Sequence, residues 1–263
     1  MKVKVGVVNF LNTKPLIYGL EKDHDRFRLV YDTPAQCASK LETREVDIAI
    51  LPAIEYASSE KYSIISDISI TSKGSAGSVL LFSKKEIGEI RTIALDRNSR
   101  TSIALLKILC REKFRIDPGF HPMPPDLGTM LSENDAALVI GDNALFAPEY
   151  FQEMLAADLG REWFEMTSLP FVFAFWCGFP DIKPSLIKAF LESRDLGIQK
   201  LDEISKRYSF LGRTFLYLSR RYLTENMTYS FGDEEKKGLV LFYELCLKHD
   251  LITEIPTLRF FSV

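Results

Sequence analysis

Several absences bound this sequence before any motif is considered. No run is long and apolar enough for a membrane span, because the longest mainly apolar stretch, Leu169–Phe179, is short and interrupted by Pro170 and Gly178. The four cysteines, at 37, 110, 177 and 246, form no CxxC pair, and none has a histidine at metal-ligand spacing. Neither a metal centre nor a disulfide framework is therefore expected, and free thiols fit a reducing compartment. Histidine is scarce: His24 and His249 lie in charged, surface-like segments, and only His121, in a proline-rich stretch, invites consideration as a base. Basic charge is not in excess, with 33 Lys and Arg against 36 Asp and Glu, which argues against a nucleic-acid partner. GxSxG, HExxH, Walker and GxGxxG patterns are all missing. An enzyme with this sequence is expected to need no cofactor, neither metal nor nucleotide. No period of 20–50 residues repeats, which excludes a solenoid.

What is present is an alternation of strand and helix signals. Lys2–Val8, Arg28–Tyr31 and Val46–Leu51 read as strands, and helices are expected over Pro15–Glu21, Ala35–Arg44 and Ala53–Ser58. Thr33-Pro34 is a strong helix start, a capping hydroxyl followed by a residue whose fixed φ suits the first turn. Further strands are expected at Ser78–Ser83, Thr92–Leu95, Ala136–Ile140 and Leu169–Cys177. A long helix is expected from about Ser99 to Phe114, and Pro118–Leu127 reads as irregular. Charged helical stretches follow at Pro184–Ser193, Gly197–Arg207 and Asp233–His249. This order predicts an α/β fold with mostly parallel sheets. The strands Ser78–Ser83 and Phe171–Cys177 bracket a β-α-β stretch, so two lobes are expected. Residues 1–83 with 175–263 form the first, and 84–174 form an inserted second, with a ligand cleft between them.

Three loops then stand where parallel strands end. Asn12 or Thr13 can cap the helix begun by Pro15, leaving N–H groups that attract carboxylates. Asn98-Ser99-Arg100-Thr101-Ser102 brings three hydroxyls, an amide and a guanidinium to another helix start; that density of donors suits an anion, and Arg100 can fork onto a carboxylate. Charge patterning agrees, since Lys84–Arg115 holds nine basic and four acidic residues. In Ile140-Gly141-Asp142-Asn143, Asp142 can cap the next helix or hold a ligand hydroxyl. The N-terminus begins a strand at once and lacks the apolar core of a secretory signal, so a cytoplasmic protein is expected.

Four of these segments together resemble one family. Val8-Asn9-Phe10-Leu11-Asn12-Thr13-Lys14-Pro15-Leu16, Ser99-Arg100-Thr101-Ser102, Ile140-Gly141-Asp142-Asn143-Ala144-Leu145 and Leu169-Pro170-Phe171-Val172-Phe173-Ala174 are similar, in order, to segments of the chorismate dehydratases of the futalosine route to menaquinone. The resemblance covers about residues 3 to 195. It implies a two-lobed periplasmic-binding-protein type 2 fold used as an enzyme, with chorismate as its small-molecule partner and no membrane or nucleic acid involved. It implies loss of water from chorismate to give 3-[(1-carboxyvinyl)oxy]benzoate. The family's catalytic asparagine falls on Asn12 and its active-site serine on Ser78, while Thr13, Ser99, Arg100, Thr101, Ser102, Gly141 and Asp142 are the expected substrate-binding set. The alternatives are a non-catalytic carboxylate-binding protein and the related 1,4-dihydroxy-6-naphthoate synthases, whose opening motif differs.

Overall fold

The structure, a computed structural model, describes residues 2–262 except 59–60, 148–150, 152–153 and 208–211. Among the described residues, ten strands form two five-stranded sheets. Sheet one contains β1 (Val3–Val8), β2 (Phe27–Asp32), β3 (Ile48–Pro52), β4 (Ser63–Ser72) and β10 (Phe171–Gly178), in the order β2-β1-β3-β10-β4. Sheet two contains β5 (Val79–Ser83), β6 (Thr92–Asp96), β7 (Gly119–Met123), β8 (Ala136–Ile140) and β9 (Leu155–Asp158), in the order β7-β6-β8-β5-β9. Each sheet is mixed rather than parallel throughout, and each has one reversed strand. β10 pairs antiparallel with both β3 and β4, and β5 pairs antiparallel with both β8 and β9. In both cases the reversed strand is the first one made after the chain crosses from the other sheet. This is the geometric cost of crossing twice, and it gives the two lobes the same strand order.

That pairing moves the expected lobe boundaries. Val79–Ser83, assigned above to the first lobe, hydrogen-bonds within sheet two, and Phe171–Ala174, assigned to the second, pairs within sheet one. The crossings therefore lie at residues 73–78 and 168–170. Three strands had no reading in the sequence. β4 and β9 were not foreseen, and β7 lies in the segment read as irregular. All three are at sheet edges, where a proline such as Pro122 removes no essential ladder donor.

The apolar β1 and β3 have every inward residue from Val5 and Ile48 onward buried, as expected for strands covered on both faces. Thr33 caps the helix Pro34–Glu42 as expected, its hydroxyl accepting from Gln36 N–H at 3.4 Å. The anticipated helix Pro15–Glu21 is instead a 3-10 turn at Leu11–Thr13, one α-turn at Lys14–Ile17 and a second 3-10 turn at Leu20–Lys22. The helix Pro184–Ile198 of the C-terminal region shapes this segment. Ser193 Oγ accepts from the N–H groups of Gly19 and Leu20 at 2.9 and 3.1 Å and donates to the Leu16 carbonyl at 2.8 Å. The exit crossing is fixed by aromatic packing: Trp163 of sheet two's helix Leu159–Thr167 meets Phe171 edge-on at 5.2 Å. Phe171 in turn meets Phe242 of the helix Asp233–Lys248 at 5.1 Å. Burying each Phe contributes about 1.5–3 kcal/mol, so this cluster ties both lobes and the C-terminal region together. Among the described residues, no helix is long and apolar enough to cross a membrane.

The seat of the first segment on the helix Pro184–Ile198 depends on Gly197, where an added Cβ lies 1.8 Å from the Pro15 carbonyl oxygen. Gly197→Ala is predicted to destabilise the fold by about 1–3 kcal/mol, the usual consequence of overpacking. Urea unfolding measures this, and an unchanged midpoint contradicts the packing described.

Candidate active site

The four loops that meet between the lobes all leave the carboxyl ends of parallel strands: Asn9–Thr13 after β1, Ala53 after β3, Arg97–Ser102 after β6 and Gly141 after β8. In the first loop, Leu11 and Thr13 are buried and Asn12 is half-buried. The structure corrects the capping role considered for Asn12. No side chain caps the 3-10 turn or the α-turn from the loop itself, and Thr13 Oγ1 donates to Asn12 Oδ1 at 3.3 Å. The cap comes from the other lobe: Asp142 Oδ1 accepts from the Leu11 N–H at 2.9 Å. Asp142 therefore caps a helical turn, but not its own helix, Asp142–Leu145, which has no side-chain cap.

Gly141, just before it, lies at φ +63, and a Cβ there meets the Phe10 ring at 2.8 Å. A glycine is needed both for the left-handed backbone and for the approach of Phe10 from the opposite lobe. Burial pushes the Asp142 carboxyl above its ordinary range, against the pull of the Leu11 N–H and the Lys14 ammonium. Burial also lowers Lys14, whose Nζ donates to Asn9 Oδ1 at 2.6 Å.

The second loop turns on Asp96, whose carboxylate accepts from Asn98 N–H at 2.9 Å and whose carbonyl accepts from Ser99 N–H at 2.9 Å. The helix Thr101–Leu109 then starts without a side-chain cap. Its first-turn N–H groups have no acceptor within the helix, so they are available to a ligand at this end. Thr101 Oγ1 accepts from Ile54 N–H of the other lobe at 3.3 Å. Arg100 lines the cavity, but its half-exposed guanidinium lies 3.5 Å from Glu55 across the cleft. The structure thus places it in a surface ion pair between lobes rather than as a free fork for a carboxylate.

Ser78 sits at the first crossing, one residue before β5, and is buried. The crossing is held by Asp158 from the end of β9. Its Oδ1 accepts from the N–H groups of Ala76, Gly160 and Arg161 at 2.8, 3.0 and 3.1 Å. Its Oδ2 accepts from Ser75 Oγ and Gly77 N–H at 2.6 and 2.7 Å. The Ser78 carbonyl accepts from Gly141 N–H at 2.8 Å, and Ser78 Oγ lies 2.8 Å from the hydroxyl of Tyr222. Sequence reasoning missed Tyr222. It opens a π-helical turn, Tyr222–Asn226, after a helix at Arg213–Arg221 that the sequence analysis also left unread. Burial pushes Tyr222 well above the usual phenol range, so it stays neutral.

Asn12, Thr13, Ser78, Ser99, Arg100, Thr101, Ser102 and Gly141 all line one cavity of about 630 Å³, counting the part open to solvent; Asp142 stands behind it, at the Leu11 turn. Val8, Phe10, Ile50, Ile70, Phe173 and Met227 supply apolar walls. The size and make-up suit a small organic ligand. Among the described lining residues, Arg100 alone is ionisable, and no Asp, Glu, His, Lys or Cys faces the space. His121 is elsewhere, its Nδ1 2.7 Å from Asn134 Oδ1 on the edge strand β7. The cysteines are buried and free, with burial raising Cys37, Cys110 and Cys246 to about 12, so none is a ready nucleophile.

Two mixed sheets of matching order around a closed cleft define a two-lobed, periplasmic-binding-protein-like α/β protein. The fold matches the periplasmic aliphatic sulphonate binding protein of Escherichia coli, with a TM-score of 0.70 at 13% identity over 99% of this chain and 92% of that one. It also matches a protein of Archaeoglobus fulgidus, with a TM-score of 0.77 at 19% identity over 95% and 98%. The family described as menaquinone biosynthesis matches residues 3–248, and the chain belongs to it. A relative in Thermus thermophilus, a chorismate dehydratase, is 30% identical over 258 residues, covering 91% of this chain and 93% of that protein.

The raised Asp142 carboxyl has a testable sign. Its folded pKa lies above the unfolded value, so its contribution to stability is greatest below the ordinary carboxylate range. That contribution declines as pH rises through the raised value. Asp142→Asn keeps an acceptor for Leu11 N–H and removes the buried charge. Thermal unfolding is predicted to show this variant at least as stable as wild type at neutral pH and less sensitive to pH on the acid side. A large loss of stability at neutral pH contradicts this account.

Proposed function

We propose that this protein dehydrates chorismate to 3-[(1-carboxyvinyl)oxy]benzoate, as a step of menaquinone biosynthesis. The observation that carries the reading is an interlobe cavity, partly open to solvent and lined in part by hydroxyl and amide groups, in which no described residue is a plausible base. That combination suits a substrate that brings its own base. Chorismate carries two carboxylates, a ring hydroxyl and an enolpyruvyl ether. In the dehydration the C3–H bond breaks, its electron pair forms the C3=C4 bond, and the C4–O bond breaks, leaving an aromatic ring. The enolpyruvyl carboxylate, held beside C3, takes the proton, which leaves with the C4 oxygen as water. Aromatisation makes the reaction strongly downhill, so the protein has to fix one conformer and stabilise the departing hydroxyl.

The groups at hand suit that task. The first-turn N–H groups at Thr101 and Ser102, with the hydroxyls of Thr13, Ser99, Thr101 and Ser102, offer neutral donors for the carboxylates. Neutral donors lower a carboxylate's basicity less than a bidentate guanidinium does. Asn12 and Ser78 then serve as donors to the leaving hydroxyl. Fixed donors of this kind act without reorganisation in a site that excludes water. Contacts between the lobes, Asp142 to Leu11 and Thr101 to Ile54, hold the cleft shut around the substrate.

The test is to incubate the purified protein with chorismate and follow its diene absorbance. Loss of the diene with the ether retained, and with no pyruvate released, is expected of the wild type. Asn12→Ala and Ser78→Ala are each expected to lower turnover by about 10²-fold or more, the scale of losing one fixed donor, with unchanged thermal unfolding. Chorismate recovered intact from the wild-type protein overturns the enzymatic reading in favour of a binding protein.

A further inference from the structure

We propose that Glu55 is a positioning residue that holds the Arg100 guanidinium away from the substrate carboxylate that serves as base; this rests on the reading of chorismate as its own base. Arg100 is the one ionisable residue among the described residues that line the cavity. It stands immediately before the helix Thr101–Leu109, beside the first-turn N–H groups that are offered to a carboxylate. A guanidinium so placed forks onto a carboxylate bound there unless another acceptor holds it. Glu55 Oε1 is that acceptor, 3.5 Å from Arg100 Nε. Among the described residues, neither side chain has another ion-pair partner.

The turn that carries Glu55, Ala53–Tyr56, is anchored on the residues around it. The Ala53 carbonyl accepts from the Tyr243 hydroxyl at 2.7 Å, and the Tyr56 hydroxyl donates to the Thr257 carbonyl at 3.1 Å. Ile54 N–H donates to Thr101 Oγ1 at 3.3 Å, so residues 54 and 55 face residues 101 and 100 across the cleft. The Glu55 carboxylate is thus presented by fixed backbone to a long, half-exposed side chain of the other lobe. An ion pair this exposed adds little to stability. Its consequence is the place it gives the cation. A guanidinium paired with a carboxylate lowers that carboxylate's basicity, and a weaker base takes the C3 proton more slowly. Releasing Arg100 therefore raises affinity for the substrate and lowers its turnover.

Glu55→Gln keeps the shape of the side chain and removes its charge. Without ligand, the Arg100 Nε–H signal, identified in NMR spectra by its loss in Arg100→Gln, is expected to report a restrained side chain in wild type and a mobile one in Glu55→Gln. This readout needs no substrate, so it decides the restraint even where chorismate survives intact and the catalytic reading fails. In calorimetry, 3-[(1-carboxyvinyl)oxy]benzoate, which keeps both carboxylates, is expected to bind Glu55→Gln about threefold or more tighter than wild type. With chorismate, kcat is expected to fall by about three- to tenfold while KM also falls, with unchanged thermal unfolding. A merely structural role moves the unfolding midpoint and weakens binding instead. Both effects of Glu55→Gln are expected to vanish in the Arg100→Gln background, whereas a general repulsion of anions by Glu55 persists there. An Arg100 side chain as mobile in wild type as in Glu55→Gln, unchanged affinity and kcat in Glu55→Gln, or effects that persist in Arg100→Gln each overturn the proposal.

Discussion

The chain crosses between its lobes at residues 73–78, and one buried carboxylate holds that crossing in place. Asp158 accepts five hydrogen bonds, three of them from Ser75, Ala76 and Gly77 and two from the start of its own helix. Bonds to a charged acceptor contribute about 1.5–3 kcal/mol each, without adding simply. Because Asp158 closes β9 and Ser78 leads into β5, which pairs with it, the crossing and the sheet edge are one rigid unit. Ser78 is consequently presented to the cavity by backbone geometry. Gly141 is tied to the same place through its bond to the Ser78 carbonyl, and Gly141 in turn admits the Phe10 ring from the opposite lobe. The placement of both lobes' site residues can be traced back to this anchor.

The same scaffold would serve a binding protein, and the likeness to a sulphonate binding protein shows that the fold alone does not separate the two. What distinguishes this cleft is its chemistry. The cationic side chain nearest the space is turned to Glu55, and the polar groups facing inward are neutral hydroxyls and an amide. An anionic ligand held this way keeps more of its carboxylate basicity than one paired with a cation. In that setting the ligand's own groups become the reactive ones, and the protein contributes alignment and exclusion of water.

Much of this was legible in the sequence because buried central strands carry an undiluted apolar signal. β1, β3, β5, β6, β8 and β10 all stood out, and so did the capped start at Thr33-Pro34. The loops at Asn12, Ser99–Ser102 and Gly141 were found because each follows such a strand. Three edge strands were lost, β4, β7 and β9; β7 contains Pro122 and β9 has four residues. The fate of polar side chains was also hidden. Local rules made Asn12 and Asp142 caps of their own helices, whereas the actual cap runs between lobes across 131 positions. Arg100 was read from its neighbours in sequence, and its partner Glu55 lies on an element that nothing local connects to it. Tyr222 left no local signal, because its hydroxyl meets Ser78, 144 positions away.

The central claim is that the base belongs to the substrate and the cavity contributes none. The pH dependence of the single-turnover rate with chorismate tests it most directly. With both substrate carboxylates ionised and no histidine, cysteine or carboxylate among the described residues that line the space, the rate is predicted to be flat from about pH 6 to about pH 9, the range in which histidine and cysteine ordinarily titrate. A tenfold fall per pH unit within that range, reporting the titration of a protein group, contradicts the account.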